Sequence, residues 1–184
     1  MYGLVNKSMQ DLVTERFGAG TWMRIRRAAG VDHEAFVSMQ AYPDTVTYAL
    51  VQAASRELDI PVPNLLEAFG EHWVHDTGRQ GYGDLMRLAG KSFVEFLQEL
   101  DNMHGRVAVA FPALTPPSFE CTDVAPGQVR LHYHSTRDGL GPMVVGLIRG
   151  LAGVFGLTGL VVKHEVRRSD GADHDEFLIR WCET

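Results

Sequence analysis

Cysteine is scarce in this chain. Cys121 and Cys182 are the only two, and they form no C-x-x-C. That excludes a disulfide scaffold and argues against a structural zinc site. Basic patches are missing as well. The longest is RIRR at 24–27, and the formal charge is −6, so neither nucleic acid nor an anionic membrane suits this surface. The opening MYGLVNKSMQ lacks the charged and apolar regions of a signal peptide. With the free cysteines, this makes the cytoplasm the expected location. There is no G-x-x-x-x-G-K-[ST] loop to cradle a phosphate and no H-E-x-x-H for a zinc hydrolase. No catalytic triad, internal repeat or low-complexity segment is found. One long apolar run exists, MVVGLIRGLAGVFGLTGLVV at 143–162, with a G-x-x-x-G at Gly146 and Gly150. Arg149 inside it would cost about 2.5–3.5 kcal/mol near a bilayer centre. The run therefore reads as a buried helix ending near Phe155, followed by a strand, and no membrane partner is expected.

What is present is ordinary globular material with enough apolar residues for a core. The first half has helical period. Leu4, Val5, Met9, Leu12, Val13 and Phe17 share a face, and Gly18 and Gly20 end the run. Thr21 is expected to cap a helix through Ala29, residues 34–40 another turn, and Asp44 a helix to Leu58. After Pro61 and Pro63, Asn64 opens a helix whose Leu66, Phe69 and Trp73 line up. GRQGYGD at 78–84 leads to a short helical segment at 85–88. Ser92 and Glu95 form a capping box. The helix they open carries Phe93, Leu97, Leu100 and His104 on one stripe, and Gly105 is expected to close it. The second half changes period. Strands are expected at 119–123, 128–134, 160–167 and 176–181, with the helix beginning at Gly141-Pro142 between them. The fold class is α+β: a helical N-terminal subdomain, about 1–62, and a C-terminal subdomain of antiparallel sheet with helices, about 63–184.

His104 ends an apolar stripe. Such a residue is ordinarily a hydrogen-bonded core histidine; the alternative is a metal ligand on a hydrophobic wall, as a haem's proximal histidine is. Tyr133, Ser135 and Arg137, in HYHSTR, alternate as on one strand face. A solvated face accounts for them, and so does an anion clamp, since arginine matches a carboxylate bidentately and hydroxyls fill the remaining lone pairs. A haem offers a flat apolar body and two propionates, and it fits this pairing better than a phosphate. His72 and His75, or His132 and His134, offer zinc ligands in pairs only and read as surface residues. His174 reads as solvated, and Asp101, three residues before His104, as solvent-facing.

MYGLVN, YPDTVTYALVQAAS, LDNMH, TPPSFECTD, YHSTRDGLGPMVVGLI and DHDEFLI together span the chain. On these segments the chain resembles H-NOX domains, the haem nitric oxide/oxygen binding family of bacterial gas sensors and of soluble guanylate cyclase. The resemblance implies a single H-NOX domain over 1–184, with haem b (ferrous protoporphyrin IX) between its two subdomains. It implies His104 as proximal iron ligand, Tyr133, Ser135 and Arg137 as the propionate clamp, and Pro117 as a wedge against the porphyrin. Cys121 falls where the cyclase also has a cysteine, and reads as structural or redox-sensitive. Met143 takes the place of the tyrosine found in dioxygen-binding members. Trp73, Leu147 and Val5 are implied to line the same distal pocket.

The function so implied is that of a sensor without catalytic activity. It binds nitric oxide and carbon monoxide at ferrous haem and excludes dioxygen. It signals through release of the proximal histidine and a subdomain shift. A separate histidine kinase or cyclic-di-GMP enzyme is the implied partner, since the chain has no room for an output domain. Two alternatives stay open: a dioxygen sensor or carrier on the same fold, and a zinc-dependent hydrolase using His72, His75, His132 or His134.

Overall fold

A computed structural model describes residues 1–75, 90–111 and 114–182. The GRQGYGD link and the helical segment expected at 85–88 lie outside the described residues. Among these residues are six helices and a four-stranded antiparallel sheet, the α+β class expected. The helices are α1 (Gly3–Phe17), α2 (Ala19–Ala28), α3 (Asp44–Leu58), α4 (Val62–His72), α5 (Phe93–Ala110) and α6 (Gly141–Val154). The strands are β1 (Ser118–Ala125), β2 (Gln128–His134), β3 (Thr158–Val166) and β4 (Asp175–Cys182), in the order β1-β2-β4-β3. Two compact units divide within α4, one Met1–Phe69 and the other Gly70–Thr184.

The first unit is helical. Met9, Leu12 and Val13 of α1, Trp22 and Ile25 of α2, and Leu50 and Val51 of α3 are buried. Gly18, at φ 85°, makes the break between α1 and α2. Because the glycine supplies that break, α2 starts at Ala19, and Thr21 lies inside it, donating to the Phe17 carbonyl at 2.8 Å, rather than capping it. Asp44 is the first residue of α3, after Pro43, and its carboxylate holds the Met1 ammonium. Asn64 likewise lies within α4, which starts at Val62 once Pro61 has broken the chain. Residues 34–40 form bends and turns without a helix.

In the second unit α5 and α6 pack on one face of the sheet. Phe93, Phe96, Leu97 and Leu100 meet Val144, Val145, Ile148 and Leu151, and beneath them lie Val129, Leu131, Tyr133, Phe177 and Ile179. The capping box holds at the start of α5. Ser92 Oγ accepts from the Glu95 N–H at 3.2 Å, and the Glu95 carboxylate accepts from the Lys91 N–H at 2.8 Å. Gly105 does not close the helix, which runs on to Ala110. A glycine in a helix interior costs about 1 kcal/mol against alanine. Arg106 and the alanines that follow favour helix, and each added residue gains a backbone hydrogen bond. His104 is therefore an interior helical residue.

The apolar run at 143–162 resolves as expected into a helix and a strand. No described helix is long and apolar enough to cross a membrane. Its G-x-x-x-G serves packing against α4. A Cβ on Gly70 would come within 2.3 Å of the Met143 carbonyl oxygen and 2.7 Å of the Leu147 nitrogen. A Cβ on Gly150 would lie 2.9 Å from that of Val74. Only glycine permits this approach of α4 to α6.

Candidate functional site

Burial, α5 and strand β2 set up this site. His104 is held by its own helix: Nδ1 lies 2.8 Å from the Leu100 carbonyl oxygen. A carbonyl only accepts, so Nδ1 carries the proton and Nε2 keeps its lone pair. Burial pushes the His104 pKa below 6.5, against smaller raising effects from the Leu100 carbonyl and Asp101. Near neutral pH the ring is an uncharged imidazole with one committed nitrogen and one donor nitrogen, the form that binds a metal.

His104 is linked to β2 through Phe119. The His104 and Phe119 ring centroids are 5.3 Å apart, and those of Phe119 and Tyr133 are 5.4 Å apart. Register explains the second pair, since Phe119 faces Tyr133 across β1 and β2. Asp101 is exposed, as expected, and it accepts from the Phe119 N–H at 3.2 Å and so pins β1 to α5. Phe119 escapes a reading of the sequence by residue type. The signal that would find Phe119 is its place two residues after Pro117, at the start of a strand.

Alternation along β2 carries only as far as Tyr133, which is 4% exposed, in line with Val129 and Leu131. The strand ends at His134. Ser135 and Arg137 lie in the bend beyond it, joined by the Arg137 N–H donating to Ser135 Oγ at 3.1 Å. The Arg137 guanidinium donates to the Thr115 carbonyl at 2.8 Å. It thereby reaches the loop that holds Pro117, which is half-buried. The Ser135 carbonyl accepts from Arg168.

Trp73 lies in a π-type turn over 73–75 that follows α4, while Met143 and Leu147 flank Gly70 on α6. All three are half-buried. Val5, on α1 of the first unit, is also half-buried. His72 and His75 do not act as a surface pair. His72 is 7% exposed and buried while His75, at the end of the turn, is exposed. Cys121, half-buried on β1, has its thiol pKa pushed up to about 11 by burial and by Glu120. It is therefore a poor nucleophile.

These groups fit a haem. A neutral imidazole with a fixed tautomer has the chemistry of an iron ligand, the flanking surface is aromatic and aliphatic, and a guanidinium, a phenol and a hydroxyl are of the type that binds carboxylates.

A profile of the haem-NO-binding family matches residues 2–164. The chain is 31% identical over its whole length to 28% of soluble guanylate cyclase gcy-35 of Caenorhabditis elegans. It is 28% identical over 89% of its length to 23% of gcy-31 of the same organism. It spans about a quarter of the length of these curated relatives. In fold it is similar to an H-NOX protein from S. oneidensis solved in the Fe(II)NO ligation state, with a TM-score of 0.88 at 20% identity and both chains fully covered. It also resembles the unliganded Fe(II) H-NOX protein from K. algicida, with a TM-score of 0.84 at 22% identity, covering 100% of this chain and 98% of that one.

Proposed function

The chain belongs to the haem-NO-binding (H-NOX) family, a family of haem-binding gas-sensor domains rather than catalysts, and we propose that it senses nitric oxide through His104. The observation that carries this reading is the state of that ring: uncharged, hydrogen-bonded through Nδ1 to Leu100, with Nε2 left as a donor. Bound haem b would supply a ferrous iron that binds diatomic gases. His104 would hold that iron, and Arg137, Ser135 and Tyr133 would hold the propionates, with Pro117 against the ring. The hold of His104 on the haem would couple gas binding to α5, and a separate histidine kinase or cyclic-di-GMP enzyme would read its release as a subdomain shift. The two free cysteines suit a reducing, cytoplasmic setting.

Gas choice follows from side-chain chemistry. Dioxygen on ferrous iron draws electron density outward and gains from a distal hydrogen-bond donor, while nitric oxide and carbon monoxide gain less. Met143, Leu147 and Val5 offer no donor, and the indole N–H of Trp73 is the one donor among the residues implied to line the pocket. One hydrogen bond to a strongly polarised acceptor is worth about 1.5–3 kcal/mol, or roughly 10–150-fold in affinity. The test is the absorption spectrum of the haem-loaded, reduced protein with each gas. Nitric oxide and carbon monoxide should each shift it, and admitted air should give no lasting oxy-ferrous form. A stable oxy-ferrous spectrum would contradict the gas choice and favour a dioxygen sensor or carrier.

A further inference from the structure

The face of the sheet opposite the helices carries a cluster that a haem site does not use. His132 of β2 pairs in register with Glu176 of β4, and His174 stands in the turn just before β4. Contrary to the expectation that both histidines are surface residues, each side chain is only 16% exposed, and that of Glu176 is 20%. Their inner atoms converge. His132 Nδ1 is 2.9 Å from His174 Nε2 and 3.8 Å from Glu176 Oε1, and His174 Nε2 is 3.5 Å from Glu176 Oε1. A tetrahedral zinc ion with bonds of about 2.0–2.2 Å spaces its ligand atoms by about 3.3–3.6 Å. The observed triangle brackets that spacing, and shifts of a few tenths of an ångström would regularise it. Among the described residues this is the one such group of three.

The outer atoms of the same three side chains are also committed. His174 Nδ1 faces the Asp173 carboxylate. A carboxylate accepts, so Nδ1 keeps the proton and the Nε2 lone pair points inward. His132 Nε2 is 2.8 Å from Thr122 Oγ1, which can accept a hydrogen bond from its N–H. Glu176 places Oε2 on Arg130 at 3.0 Å and leaves Oε1 toward the histidines. His134 stacks on His174 at 4.3 Å between centroids and fixes the plane of the ring. A carboxylate behind one ligating histidine and a hydroxyl behind the other is how metal sites orient and strengthen imidazole ligands. A bound cation would take the place of the hydrogen bond between the two facing nitrogens.

We propose that His132 Nδ1, His174 Nε2 and Glu176 Oε1 form a zinc site, with water as the fourth ligand. Two imidazoles and one carboxylate favour zinc-class ions over magnesium or calcium. The ion would join β2 to the turn that leads into β4, segments 42 residues apart in sequence. It lies on the polar face of the sheet and does not depend on the haem reading.

The test uses tag-free, haem-loaded protein stripped of adventitious metal. Zinc is titrated in competition with a chromophoric chelator, and cobalt(II) is added separately as a spectroscopic probe. One zinc per chain is expected, with intense visible cobalt bands of a four-coordinate ion. His174→Ala should abolish both while leaving the haem spectrum intact, which reports folding. Asp173→Asn keeps all three ligands and should weaken zinc by about 10–100-fold. His75→Ala, at an exposed histidine elsewhere, should change nothing. No saturable zinc binding by the parent overturns the proposal, as does binding that survives His174→Ala and is lost in His75→Ala.

Discussion

Strand β2 serves two faces of one sheet with opposite chemistry. Val129, Leu131 and Tyr133 point to the helices and are almost fully buried. Arg130, His132 and His134 point the other way. There Arg130 alone bonds Asp123, Glu165 and Glu176 at 2.9–3.1 Å. The inner face has few polar groups, and burial dominates the behaviour of His104 beside it, lowering its pKa. The outer face has many, and they orient one another. The contrast shows that a histidine's chemistry here depends less on its type than on what its second nitrogen meets: a helix carbonyl for His104, a carboxylate for His174.

The largest expected effect comes from breaking the close approach of α4 to α6. Gly70→Leu would drive a side chain into the α6 backbone, and overpacking of this kind costs about 1–3 kcal/mol or more. Thermal unfolding should show a markedly lower Tm, whereas Gly153→Leu, where the nearest atom to a Cβ is His75 Cε1 at 3.8 Å, should be tolerated far better. Next comes the clamp. Arg137→Ala should speed haem loss to an acceptor protein by roughly 10–150-fold, the equivalent of about 1.5–3 kcal/mol. Tyr133→Phe and Ser135→Ala should have smaller effects, and unchanged loss in all three would remove the clamp assignment.

A pH experiment sharpens the comparison further. The folded pKa of His104 is held below 6.5 by burial, so between that lower value and 6.5 the unfolded chain binds more protons than the folded one. Stability conferred by this group is complete above pH 6.5 and falls as the pH drops below it. In haem-free protein, the stability difference between parent and His104→Gly should narrow as pH falls from 7 to 5, measured by denaturant titration. A constant difference would mean the ring is not desolvated. The smallest effect is at Cys121. With its pKa raised to about 11, it should alkylate slowly at pH 7.5, and mass spectrometry should find Cys182, which is exposed, modified first.

Much of this organisation can be read from residue order. Period alone locates the strands and the α6–β3 break, and Ser92 with Glu95 locates the start of α5. Alternation puts Tyr133 on the inner face because each partner strand keeps the same period. The failures have two causes. Gly105 and Thr21 carry local signals of a helix boundary, but the neighbouring Ala108, Ala110 and Gly18 decide the outcome. His174 reads as solvated because its shielding partners, His132 and His134, are about 40 residues away in sequence. Register across β2 and β4 creates that neighbourhood, and no local window contains it. Phe119 is missed for the same reason, as it meets Asp101 only when β1 returns past α5.

The most direct test of the central claim is the ferrous absorption spectrum of haem-loaded His104→Gly, recorded with and without imidazole. If Nε2 of His104 is the protein's ligand to iron, the variant should lose the parent spectrum and regain it when imidazole fills the space the side chain has left. A variant whose spectrum matches the parent without imidazole would show that the iron is held by another group, and the account of sensing through α5 would fail with it.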